Sequence, residues 1–347
     1  MCLPRLTMFA AIVAFVAIAS VAAAASQTSQ PRVCSRFAAP RGSDSAPATK
    51  LRPVKTVQAL ADSLTPGETG CLLGGTYDED VSIRRGGSLG HPVTLRGAPG
   101  AVATVRGRFW IADSANWVTI AYLHLDGFNV THLPSPTVNG DHATFTYDDV
   151  TNEHMGGLHD GDGICFLLGD PTGVYGLASH TRISYSRIHD CGTSNNHNHG
   201  IYVAGSDYAT IVDNWIYDNA DRGIQLYPDA QHTEIRNNVI ARNGEGVIFS
   251  GDKTHASSNN VLANNVIIDS RTRYNVEYWW SGPIGSGNVV TANCVHGGHE
   301  GDVLQPAVGY TMSDNLTVAP TFVGHSWPAR VARGSACARF APRPRTR

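Results

Sequence analysis

The 347-residue chain has three lysines against twenty-three arginines, only four methionines, and charged residues at 16% of its length, with a formal net charge of −3. A chain this sparing in charge has no strongly basic domain, and it therefore lacks the electrostatic footprint of a nucleic-acid binder. Closely spaced cysteines are also missing: none of the seven forms a C-x-x-C or a zinc-finger spacing, which argues against a structural metal. The one long hydrophobic run lies in residues 1–25, where Arg5 precedes an apolar, alanine-rich stretch ending in small residues. That pattern reads as a cleaved secretory signal rather than a membrane anchor, with no membrane contact afterwards.

Export into an oxidising compartment changes the meaning of the cysteines. Beyond Cys2, six remain at positions 34, 71, 165, 191, 294 and 337, and six allow fifteen pairings, so disulfides are expected without a unique connectivity from counting alone. Residues 26–52, rich in Ser, Ala, Pro and Arg, and the end 338–347 of the C-terminal tail 326–347 read as poorly ordered, with Cys34 and Cys337 tying their inner ends down. The folded domain is then 53–325.

Within it the chain repeats itself. "IVDNWIYDNADRGIQL" from Ile211 is followed by "IRNNVIARNGEGVIF" from Ile235, and related segments begin at Ile183, Leu262 and Val290, with weaker copies at Phe145 and Ile120. In this register one column reads Leu123, Asp148, Ser186, Asn214, Asn238, Asn265, Asn293. Two places on, a second column is wholly apolar: Leu125, Val150, Ile188, Ile216, Ile240, Ile267, Val295. A second strand follows each copy, at 163, 200, 223, 246, 275 and 302. Short β-branched strands at a period in the twenties, with Gly, Asn and Asp turns, predict an all-β solenoid whose coils stack at about 4.8 Å. Asparagines in one column can hydrogen-bond along the stack and pin its register.

This pattern resembles the right-handed parallel β-helix family, the pectate-lyase-like proteins, from about Val54 to Val323. The opening "TVQALADSLTPGETGCLLGGTYDEDVSIRRGG" is similar to the start of secreted β-helix proteins. The resemblance implies a short helix at Thr56–Leu64 capping the first coil, then a "GTY" strand. In the repeat register Cys165 and Cys191 lie in neighbouring coils and are expected to pair, with Cys34–Cys71 and Cys294–Cys337 holding the two ends.

Stacking lets a site be read by column. The residue before each second strand is Asp162, His199, Arg222 and Glu245 in four successive coils, with Asp160 and His197 two places earlier in theirs. Ionisable groups one coil apart perturb one another, as functional sites often require. With Ile201, Ile224 and Val276 pointing inward, alternation turns Tyr202, Gln225, Glu277, Tyr227 and Trp279 outward, a row of rings and hydrogen-bonding groups suited to a polysaccharide, while Trp280 turns to the core.

Removing a proton beside a carboxylate needs a base, a cation and an acid, and His199, Arg222 and Tyr202 or Tyr227 are the right types. Asp162 and Glu245 complete the catalytic set; Tyr227, Trp279, Gln225 and Glu277 form the binding set. The expectation is a secreted, monomeric lyase or C5-epimerase acting on an acidic polysaccharide. As base and charge neutraliser, His199 and Arg222 should both be dispensable for folding. His, Arg and Tyr usage is similar to that of mannuronan epimerases, although their "DPH" is absent. The pectate-lyase "RxPxxR" strand is absent too.

Two other readings stand. A glycoside hydrolase would draw on Asp160, Asp162 and Glu245, but of the polygalacturonase motifs only "HDGDG" and "NHG" are present. A non-catalytic glycan-binding or adhesin-like β-helix would make the column a plain ion-pair ladder. No cofactor is required by the sequence, and calcium is retained as a candidate ion without assigned ligands. His154, His159 and His180 with Asp160 are weaker candidates for a metal. Asn129 and Asn315 begin N-x-T tripeptides.

Overall fold

A computed structural model describes residues 33–156, 163–193, 196–324 and 326–342. The signal segment 1–25 and His159, Asp160 and Asp162 lie outside these described residues.

Strands of three residues or a little more, separated by tight corners, wind into a parallel β-solenoid with three sheets of eleven, nine and nine strands. Every pairing within these sheets is parallel; an antiparallel pair, Phe322–Val323 with Arg330–Val331, lies apart from them. The expected apolar column is one continuous row, Leu125–Val150–Ile188–Ile216–Ile240–Ile267–Val295, each 2% exposed or less. Ile120, Phe145, Ile183, Ile211, Ile235, Leu262 and Val290 form a matching row in the longest sheet. No coil could bury these side chains alone, so the core exists only through stacking.

The asparagine ladder fixes the coils in register. Asn214 N donates to Asn238 Oδ1 at 2.9 Å, Asn238 N to Asn265 Oδ1 at 2.9 Å, and Asn265 N to Asn293 Oδ1 at 2.9 Å. Each amide nitrogen also satisfies a neighbour, as Asn238 Nδ2 does for Ile211 O at 2.9 Å. Toward the N-terminus the same post is taken by Ser186 and Asp148, whose oxygens accept from Asp148 N and Leu123 N. Asn238→Leu would orphan the buried Asn214 N–H and the Ile211 carbonyl, and it is expected to destabilise by roughly 1–3 kcal/mol in denaturant unfolding. Asn259→Gly is the matched control, because Asn259 is exposed and left-handed (φ 59°), a conformation glycine adopts freely. Equal shifts in the two variants would refute the ladder.

The cap forms where the resemblance implied it. Val57–Ser63 is helical, with Thr56 Oγ1 accepting from Ala59 N at 3.0 Å and Leu64 closing the last turn. Val57, Leu60 and Ala61 cover the first coil, and Leu60 packs so tightly on Gly70 that a Cβ there would lie 2.9 Å from it.

All three disulfides follow the expected pairing, Cys34–Cys71, Cys165–Cys191 and Cys294–Cys337. The flanks differ from expectation. Arg36–Ala38 extends the longest sheet by pairing with Thr69–Leu72, and residues 326–342 pack through Val331, Cys337 and Phe340 against Val239, Val266 and Cys294. Their composition suggested disorder, but the first is tied to the stack by a disulfide and strand pairing, and the second by a disulfide and apolar packing, its strand Arg330–Val331 pairing with Phe322–Val323. Asn129 Nδ2 donates to Gly127 O and Leu133 O, and Asn315 Nδ2 to Val290 O, so both N-x-T amides are consumed by the fold.

Candidate active site

The outer face of the sheet containing Ile201–Val203, Arg222–Leu226, Glu245–Gly251 and Tyr274–Trp280 carries a cleft of about 530 Å³. Its lining includes His197, His199, Tyr202, Arg222, Gln225, Tyr227, Arg273, Glu277 and Trp279. Alternation creates this set. Ile201, Ile224, Val247 and Val276 are paired and buried inward, which leaves Tyr202, Gln225, Ile248 and Glu277 as the outward row. Trp280 turns to the core edge and donates Nε1–H to Val308 O at 3.0 Å.

His199 is almost wholly buried, and its Nδ1 lies 3.0 Å from Asp221 Oδ2. Burial pushes the imidazole pKa down, with Asp221 pulling the other way, so the ring is held neutral. Nδ1–H facing Asp221 then leaves the lone pair on Nε2. Asp221 also accepts from His197 N at 3.1 Å and from Arg222 Nη1 at 2.7 Å. Arg222 Nε is 3.0 Å from Glu245 Oε2, and Arg273 Nη2 is 2.7 Å from Glu277 Oε1.

Glu245 and Glu277 are both fully buried. Burial raises the Glu245 pKa well above its ordinary value, with Arg222 pulling the other way and the neighbouring Glu277 reinforcing the rise. The Tyr202 ring meets His199 edge-on at 5.5 Å, and burial raises its phenol pKa, which keeps it a proton donor. Tyr202, Tyr227 and Trp279 follow one another at 6.4 and 6.3 Å, and Trp279 is half exposed.

Of the expected residues, His199, Tyr202, Arg222, Gln225, Tyr227, Glu277 and Trp279 meet in this cleft. One placement needs correction, and Asp162 lies outside the described residues. Glu245 stands beside Arg222 as expected, but it is buried beneath the cleft and supports rather than lines it. Asp221 and Arg273 were missed: one sits beside Arg222 in a turn and the other enters from the loop before Tyr274.

Other histidines belong to structural contacts. His180 stacks between His142 and Tyr208, and His154 pairs with Asp190 at 3.3 Å. Among the described residues no group of His, Cys, Asp or Glu is arranged to hold a metal. On the neighbouring sheet, His189 lies 2.9 Å from Asp149 Oδ1 and 2.7 Å from Asp190 Oδ2. Burial opposes its charge, but those hydrogen bonds win and its pKa is pushed up to about 9. A raised folded-state pKa gives stability that is complete below the ordinary value of 6.5 and lost as pH rises through about 9. Denaturant unfolding should show up to about 3 kcal/mol of such alkaline loss, absent in His189→Gln. The same pH profile in both proteins would contradict the assignment.

With the geometry in place, sequence comparison adds the family: residues 138–320 match the model for the right handed beta helix region. The chain belongs to the right-handed β-helix family. Solved structures similar to this β-helix protein include a pectate lyase, Pel9A, with a TM-score of 0.55 and 16% identity over 91% of this chain and 89% of that one. An Azotobacter vinelandii mannuronan C-5 epimerase A-module gives 0.51 and 16%, over 71% and 68%. An alginate lyase from Paenibacillus sp. str. FPU-7 gives 0.52 and 15%, over 75% and 96%. At these identities the likeness is one of fold. A comparison with curated protein sequences found no match.

Proposed function

We propose that this β-helix protein is an extracellular enzyme that removes the proton beside the carboxylate of an acidic polysaccharide, as a lyase or C5-epimerase. The observation that carries the reading is His199, neutral by burial and fixed through Nδ1 on Asp221, within one cleft with the Tyr202 phenol and the guanidiniums of Arg222 and Arg273. Nε2 takes the proton. Arg222 and Arg273 stabilise the enolate-like charge that develops on the substrate carboxylate, and Tyr202 returns a proton to the sugar or to the leaving oxygen. Tyr227 and Trp279 present ring faces to the sugar. The names of the pectate lyase, alginate lyase and mannuronan epimerase of similar fold lean the same way.

Three disulfides support an oxidising location, and no helix among the described residues is long and apolar enough to cross a membrane. The glycosidase reading loses ground because Glu245, the described carboxylate it draws on, is fully buried beneath the cleft rather than lining it. A binding-only reading draws on one fact: Arg222 is already paired with two buried carboxylates.

Purified protein offered acidic and neutral polysaccharides, with unsaturated ends, reducing ends and product epimers read separately, tests the proposal. Unsaturated ends or epimerised product from acidic polymers alone are expected. Reducing ends without unsaturation would establish hydrolysis, and binding with no product would establish a lectin-like module.

A further inference from the structure

The outward row that floors the cleft does not stop at Tyr202. Strand register carries it toward the N-terminus through Leu167 and Thr137 to Trp110 and Ser82. Trp110 is three coils from Tyr202, about 14 Å along the axis at the usual strand spacing. Its surroundings are unlike the rest of the row. The Arg84 guanidinium lies 5.1 Å from the Trp110 ring centre and that of Arg108 lies 5.7 Å from it. Trp110 Nε1 donates to Asn139 Oδ1 at 2.8 Å, which fixes the indole.

Neither arginine has an ion-pair partner among the described residues, and Arg108 Nε is buried without a hydrogen-bond partner. The contrast with Arg222 and Arg273, each held by carboxylates, is direct. Asp80 is the nearby acid, and its carboxylate is used by the Arg108 backbone N–H at 2.7 Å. Burial lowers the Arg108 pKa and Asp80 only partly offsets it, so an incoming anion would relieve an uncompensated charge.

We infer that Arg84, Arg108 and Trp110 form a remote subsite for an acidic polysaccharide, holding a uronate unit of the same chain whose reacting unit lies at His199. The inference rests on the proposed acidic substrate. Among the described residues, the outward row between the two sites is the buried Thr137 and the partly exposed Leu167, so this part of the row offers little polar contact. An indole face takes the sugar ring, while paired guanidiniums take the carboxylate. A basic end to a long row also draws a polyanion into axial alignment before it reaches the cleft.

The test compares polygalacturonate and alginate chains with their disaccharides, by calorimetric titration of wild type, Arg84→Gln/Arg108→Gln and Trp110→Phe. The double variant should weaken binding of the long polymers by roughly tenfold or more and flatten its salt dependence, with disaccharide binding unchanged. Trp110→Phe keeps a ring and should lose less. Polymer affinity unchanged by the double variant, or polymer and disaccharide weakened alike, would overturn the subsite and leave the proposed function standing. Wild type that binds no acidic polymer would overturn both. Duplex DNA held as tightly as the glycan, with the same loss in the double variant, would overturn the assignment of a polysaccharide ligand.

Discussion

Replacing His199 with Ala is expected to lower turnover of an acidic polysaccharide by at least 10²–10⁴-fold, the usual contribution of a positioned general base. The melting temperature should barely change, because the ring removed is neutral and Asp221 keeps Arg222 Nη1 and His197 N–H as partners. Asp221→Asn separates base from scaffold: an amide that presents its nitrogen to His199 selects the other tautomer, so kcat should fall while substrate binding persists. Activity retained in His199→Ala would remove this residue from the chemistry.

Arg222→Ala is expected to do the opposite of a silent active-site change. It would take the shared guanidinium from Asp221 and Glu245, at most 1% exposed, leaving Asp221 with His199 Nδ1 and His197 N–H and Glu245 with Arg273 no nearer than 4.0 Å. Breaking a buried pair in this way typically costs about 3–5 kcal/mol. The sequence alone suggested that Arg222, like His199, was dispensable for folding, and the two buried partners reverse that expectation. Adding Glu245→Gln should restore part of the loss by removing an acid whose charged form burial already disfavours, a coupling that double-mutant unfolding measures. Additive losses would mean that Arg222 and Glu245 do not stabilise each other.

Much of this was legible because a solenoid writes its contacts at a fixed interval. Asn214 and Asn238, 24 residues apart, hydrogen-bond as the column demanded, and the isoleucine row follows the same arithmetic. Two-residue alternation then turned Tyr202, Gln225, Tyr227, Glu277 and Trp279 to one face. The failures occur where the interval changes. Thr146 and Ser184 are neighbours 38 residues apart, so this longer coil breaks the interval that the column through His199, Arg222 and Glu245 relies on.

Burial was the other blind spot. Asp221 and Glu245 look like turn residues facing water, yet adjacent coils and arginines enclose them, and only their partners reveal it. Arg273 reaches its carboxylates from outside the repeat, where no column predicts a residue. The remote Trp110 lies in the first coils, whose sequence diverges from the later repeats, so its place in the row emerges only from strand pairing.

The central claim is that His199 abstracts the proton beside a uronate carboxylate. Incubating the protein with alginate and polygalacturonate in deuterated water, and following the C5 proton by NMR, tests it without depending on whether the chain is cut or inverted. The account predicts loss of the C5 proton, by exchange or elimination, with wild type and none with His199→Ala. A C5 proton left intact by wild type in polymers that it binds, or lost equally with both proteins, would contradict it.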